Sequence, residues 1–128
     1  MTQLVAELTV MGEPRSKGRP RVTRNGTYTP PLTREHTKRV REQFLALTLP
    51  DYPKDAVFRM DCDFYLGTRR HVDSDNLLKL IKDAYNVVAF DDDWQVYDTR
   101  TRKYHTSRDR ARTVIRLYII DPDRQEQT

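Results

Sequence analysis

Phe58-Arg59-Met60-Asp61-Cys62-Asp63-Phe64 alternates apolar with charged residues, and a few positions later Val72-Asp73-Ser74-Asp75-Asn76-Leu77 opens a run with helical spacing. The first stretch has the two-residue period of a strand buried on one face. In the second, Leu77, Leu80, Ile81, Ala84 and Val88 fall on one side of a helix, and Asp75, Lys79, Lys82 and Asn86 fall on the other. Asp73 or Ser74 is a suitable cap for its start, and Asp91-Asp92-Asp93 marks its end. A strand that turns into an amphipathic helix predicts a sheet with a helix laid on it.

Working outward, Gln95 to Tyr104 and Arg112 to Ile120 read as two further strands joined by a turn at Thr106 to Arg110. They are close enough in sequence to pair antiparallel. Toward the N-terminus, Leu4, Ala6, Leu8 and Val10 give a first strand, broken at Met11-Gly12-Glu13-Pro14. Asn25-Gly26 favours a tight hairpin turn between Arg21 and Thr29. Thr33 is placed to cap a helix whose His36, Val40, Phe44 and Leu47 recur at helical spacing, with Pro50 as its stop. The predicted class is α+β, one domain over residues 1–128, with two helices on a mixed sheet of about four to five strands. Asp121 to Thr128 reads as a frayed tail.

The chain has 128 residues, is 37% hydrophobic and 33% charged, and has a mean hydropathy of -0.84. Seven Tyr, four Phe and one Trp, with recurrent Val, Ile and Leu, are enough for one core and argue against global disorder. No stretch approaches the roughly 20 consecutive apolar residues of a membrane span, and the first ten residues do not read as a signal peptide. Cys62 stands alone, and His36, His71 and His105 are scattered around it without zinc-ligand spacing. A soluble protein of the cytoplasm, bacterial or phage-derived, with no membrane partner, is the expectation.

Charge is segregated along the chain. Glu13 to Arg41 holds nine basic and two acidic residues, Arg100 to Arg116 holds seven and one, and His71 to Asp98 holds two Lys against seven Asp. Two basic segments therefore bracket an acidic one. Basic segments attract a polyanion, whereas carboxylates near phosphate repel it unless a cation lies between them. Hard divalent cations prefer oxygen ligands, so Asp73, Asp75 and one member of the Asp91 to Asp93 run are candidate ligands for such an ion, with the third Asp returning after the helix. Lys79 lies four residues beyond Asp75, one turn along the same helix face, within reach of the carboxylates or of a phosphate. Each residue also has a plainer reading: Asp caps helices and makes turns, and Lys covers solvated faces.

Asp73-Ser74-Asp75-Asn76-Leu77-Leu78-Lys79, followed after a helix by Asp92-Asp93-Trp94-Gln95-Val96, resembles the RusA-type Holliday-junction resolvases, including their phage and prophage members. Lys17-Gly18-Arg19-Pro20-Arg21 is similar to the basic N-terminal element of those members. The resemblance implies a homodimeric, magnesium-dependent endonuclease, with manganese as an alternative ion, that resolves four-way DNA junctions by paired symmetric nicks. It implies metal-binding catalytic carboxylates at Asp73, Asp75 and Asp93, the last chosen by counting back from Gln95-Val96, with Lys79 as the required lysine. Lys17, Arg19, Arg21, Arg24, Lys38, Arg102 and Lys103 are the candidate DNA contacts on the basic segments. Two other readings stay open: a non-catalytic DNA- or RNA-binding module, and a nuclease of broader branched-DNA specificity.

Overall fold

The computed structural model describes residues 2–17, 21–24, 26–28 and 31–121. Strand β1 (Gln3–Met11) is followed by a hairpin of β2 (Arg21–Thr23) and β3 (Gly26–Tyr28), then by helix α1 (Pro31–Leu45), strand β4 (Val57–Leu66), helix α2 (Ser74–Tyr85), and strands β5 (Val96–His105) and β6 (Arg112–Ile120). Four of the strands form one sheet in the order β1-β6-β4-β5, and β2 and β3 pair by themselves. With two helices on a mixed four-stranded sheet, the fold is α+β.

Alternation along the strands decides which face is covered. In β4, Phe58, Met60, Cys62 and Phe64 are buried while Arg59, Asp61, Asp63 and Tyr65 are half-exposed. The buried set joins Val10 of β1 and Ile115 and Leu117 of β6 in one cluster with Val40 and Phe44 of α1 and Leu77, Leu80, Ile81, Ala84 and Tyr85 of α2. The rings of Phe44 and Tyr85, 4.5 Å apart, join the two helices. Cys62 is the small core residue its place in the alternation predicts, and burial pushes its thiol pKa up. His36 is buried on α1, where desolvation and the neighbouring Arg39 and Arg15 push its pKa down to about 4, so it is neutral at pH 7.

The opposite face of the sheet is polar and self-paired. Arg116 donates to Glu7 at 2.8 Å, Arg59 pairs with Asp61 at 3.1 Å and lies over the Tyr118 ring, and Arg112 lies over Tyr65.

Several local expectations are corrected. Helix α1 begins at Pro31, a residue suited to a first turn because its missing N–H would have no partner there, and Thr33 is a buried residue inside the helix instead of its cap. The helix stops at Leu45, ahead of Pro50, with Leu47 N–H closing a tighter bond to the Phe44 carbonyl. Helix α2 ends at Tyr85, before the Asp run. Val87, at φ 73, then turns the chain back, its N–H bonding to the Phe90 carbonyl. In the hairpin, Thr23 pairs with Gly26, which has a φ of 117, so Gly26 opens β3.

The largest correction concerns the last two strands, which do not pair with each other. β5 lies parallel to β4 after the α2 crossover, and β6 lies between β4 and β1, antiparallel to both. The cause is the composition of each strand. Arg112–Ile120 buries Thr113, Ile115 and Leu117 and can occupy an interior position, whereas Val96–His105 carries Asp98, Arg100, Arg102 and Lys103 and suits an edge.

Candidate functional site

Asp73 ends the loop after β4 and is the N-cap of α2. Its backbone is extended and its Oδ1 accepts the Asp75 N–H at 3.1 Å. Both carboxylates are exposed, in the first turn of the helix, where the unpaired N–H groups favour ionised oxygens. The cap uses one oxygen of Asp73, which leaves the other, and Asp75 itself, for a ligand. Lys79 is exposed one helical turn further on. Lys103 on β5 donates to the Val72 carbonyl at 2.8 Å and fixes this loop to the C-terminal end of β5.

The Asp91 to Asp93 run is organised by Gln95. Its side-chain oxygen accepts the N–H groups of Asp91 and Asp92 at 2.9 and 3.1 Å, and its amide nitrogen donates to the carbonyls of Lys54 and Ala56, both at 2.8 Å. All the bonds of a buried amide are thereby used. Asp92 caps the short 3₁₀ turn Asp93–Gln95, accepting the Asp93 N–H at 2.7 Å. Asp92 therefore has a structural task, and Asp93 is presented, exposed, at the entrance to β5.

These two acidic groups lie at opposite ends of the same strand. Phe58 pairs with Val96 at the start of β5, and Phe64 pairs with Lys103 near its end. Six residues of β4 separate those pairs, about 20 Å of strand. Asp93 precedes the first pair and Asp73 lies beside the second, so the expected third Asp does not return next to the first two within this chain. Among the described residues no group of three or more His, Cys, Asp or Glu side chains is placed to hold a metal. Asp73 and Asp75 alone suit a hydrated hard cation in part, because magnesium is commonly held by one or two carboxylates with water and phosphate oxygens completing its shell.

The candidate DNA contacts divide. Arg24 is exposed on the hairpin. Lys38 and Arg102 are exposed, with loose ion pairs to Glu42 and Asp63, each at 3.8 Å. Lys17 is ion-paired with Asp83 of α2, and its N–H donates to the Asn76 carbonyl at 2.9 Å, so it staples the segment after β1 to the helix. Asp83 thus pairs with a residue distant in sequence and not with a local one. Arg19 lies outside the described residues, as does the side chain of Arg21.

Two features were not read from the sequence. One is the structural task of Gln95, signalled only by a lone amide after an Asp run. The other is the aromatic edge: Trp94, Tyr97 and Tyr104 are exposed in and just before β5, whose outer side pairs with no described strand.

Two exposed carboxylates at a strand-to-helix junction, in a chain with basic segments on either side in sequence, have the chemistry to hold a cation against a phosphate. Residues 11–118 match the family model described as "Endodeoxyribonuclease RusA", and the chain belongs to the RusA endodeoxyribonuclease family. No curated protein matches the chain. No helix among the described residues is long and apolar enough to cross a membrane.

Proposed function

We propose that this protein is a magnesium-dependent endonuclease that resolves four-way DNA junctions by paired symmetric nicks, and that it acts as a homodimer. Each active site joins Asp73, Asp75 and Lys79 of one protomer to Asp93 of the other. The observation that carries this reading is the separation of the two acidic groups to opposite ends of β5. An antiparallel pairing of two β5 edges about a two-fold axis puts the start of one strand beside the end of the other. It brings the partner's Asp93 toward Asp73 and Asp75 twice over, along an edge where Trp94, Tyr97 and Tyr104, residues of the type enriched at interfaces, are exposed.

When bound, magnesium, or manganese in its place, supplies a nucleophilic water of lowered pKa and offsets phosphate charge. The chain's own residues do the rest. Asp75 and the free oxygen of Asp73 hold negative charge at a fixed point at the start of α2, and the Lys79 ammonium faces the same side to stabilise charge developing on the phosphoryl oxygens. Arg24, Lys38 and Arg102 contribute sequence-independent attraction for the backbone. Two sites related by a two-fold axis match the two strands of like polarity that a four-way junction presents, which gives symmetric nicks.

The test is incubation with a mobile four-way junction, a flap and a linear duplex, each with magnesium and with EDTA. Paired nicks in the junction, absent with EDTA and slow on the duplex, are expected. Equal cleavage of flap and junction would give a nuclease of broader branched-DNA specificity. Binding without cleavage in magnesium would leave a non-catalytic binding module.

A further inference from the structure

Beyond the acidic site, the three loops at the C-terminal end of β4 enclose a cavity of about 380 Å³ lined by Glu13, Arg15, Thr68, Arg70 and Arg108. They come from distant parts of the chain: the segment after β1, the loop from β4 to Asp73, and the connection from β5 to β6. Each is tied to the others. Glu13 Oε1 accepts the Gly67 N–H at 3.0 Å, Arg70 donates to the Pro14 carbonyl and stands 3.9 Å from Glu13 Oε2, and the Thr106 N–H bonds to the Leu66 carbonyl at 2.8 Å. Gly67 allows the closest approach, since a Cβ there would lie 2.7 Å from the Arg108 Cα. Arg108 is thereby brought into the cavity lining on a connection that crosses the end of β4.

The charge in this cavity is unbalanced. Three arginines and one glutamate line it, and of that carboxylate Oε1 is taken by the Gly67 N–H while Oε2 has only Arg70, 3.9 Å away, as a counter-charge. Among the described residues, the cavity's Glu13 Oε2, Thr68 Oγ1 and Arg70 Nε are shielded from solvent and have no hydrogen-bond partner, the first an acceptor and the other two able to donate. Buried donors without acceptors are costly, and what would satisfy both together with Arg15 and Arg108 is an anion with several oxygens. Planar guanidinium groups match phosphate in shape and in bonding. Lying three residues before Asp73, Arg70 is within roughly 10 Å of it along the chain. Measured along a duplex axis, that is no more than about three nucleotides of one strand.

We infer that this arginine cavity is a second, non-catalytic phosphate site, which grips a backbone phosphate of the DNA a few nucleotides from the one that is cleaved. The inference rests on the nuclease reading for its ligand, but its test does not need cleavage. Arg108 is exposed and Thr68→Val keeps the side-chain shape, so Arg108→Ala, Arg15→Ala and Thr68→Val suit the purpose. Affinity of the full chain for a four-way junction is measured in calcium across a range of salt concentrations. Arg108→Ala and Arg15→Ala should each weaken binding and flatten the plot of log affinity against log salt by about one. The double variant should flatten it by no more than about one, because both residues grip the same phosphate. Inorganic phosphate, as a separate probe, should shift the amide resonances of Gly67 and Thr68, and Thr68→Val should reduce that shift. Unchanged affinity and slope in both arginine variants would overturn the site while leaving the nuclease reading intact. Phosphate-induced shifts without any change in the DNA slope would make it a free-phosphate site and would equally overturn the assignment to DNA.

Discussion

Asp75→Asn is expected to lower the rate of junction nicking by about 10³-fold or more, a loss of about 4 kcal/mol of transition-state stabilisation, while junction affinity in calcium should change little. The substitution removes one charged oxygen ligand and keeps the shape of the side chain. Asp73→Asn and Asp93→Asn are expected to do the same, each for its own position. Asn caps helices as well as Asp does, so Asp73→Asn keeps the start of α2 in place and separates the structural task of this residue from its chemical one. Asp91→Asn is the control, because Gln95 holds only the backbone of Asp91 and the family register assigns its carboxylate no task. Single-turnover nicking with saturating protein measures all four. Near-normal rates in the first three would remove the metal-site assignment, and a loss in Asp91→Asn equal to that in Asp93→Asn would move the third ligand two residues back.

Lys79→Ala has the second largest expected effect, about 10²-fold in nicking rate, because a donor aimed at developing charge contributes mainly in the transition state. Its side chain is exposed, and truncating an exposed helix residue changes stability by about 0.5 kcal/mol or less. The protein therefore stays folded and the rate reports chemistry. Affinity measured in calcium should fall far less than the rate measured in magnesium. A matching fall in both would make Lys79 one more phosphate-gripping residue, and no change in either would leave it a solvated helix residue.

How far the sequence leads depends on whether a feature is local. The start of α2 is local: Asp73 caps the next turn, and the apolar stripe from Leu77 to Ala84 buries itself wherever the helix lies. The alternation in β4 and β6 is equally legible, since each strand declares its own buried face. Strand order is not local. Closeness in sequence favours a β5–β6 hairpin, but β6 is apolar enough for the interior and β5 is charged enough for an edge, so the connection crosses over the end of β4 and Gly67 lets it pass. That crossing gathers Arg15, Arg70 and Arg108, which are far apart in sequence, around one cavity. The position of Asp93 at the far end of β5 from Asp73 has a different cause: α2 carries the chain back along the sheet, and β5 then runs parallel to β4.

The proposal of a shared active site is tested most directly by mixing two inactive variants. Asp75→Asn and Asp93→Asn are refolded together in equal amounts, so that mixed dimers form alongside the two parent dimers. If Asp93 serves its partner, each mixed dimer has one site with both substitutions and one site with neither, and about a quarter of all sites in the mixture are intact. The mixture should then regain magnesium-dependent cleavage, appearing as a single nick per junction in place of paired nicks. If both carboxylates serve a site within one protomer, every site in every dimer lacks one of them, and a mixture as inactive as either variant alone would contradict the shared site.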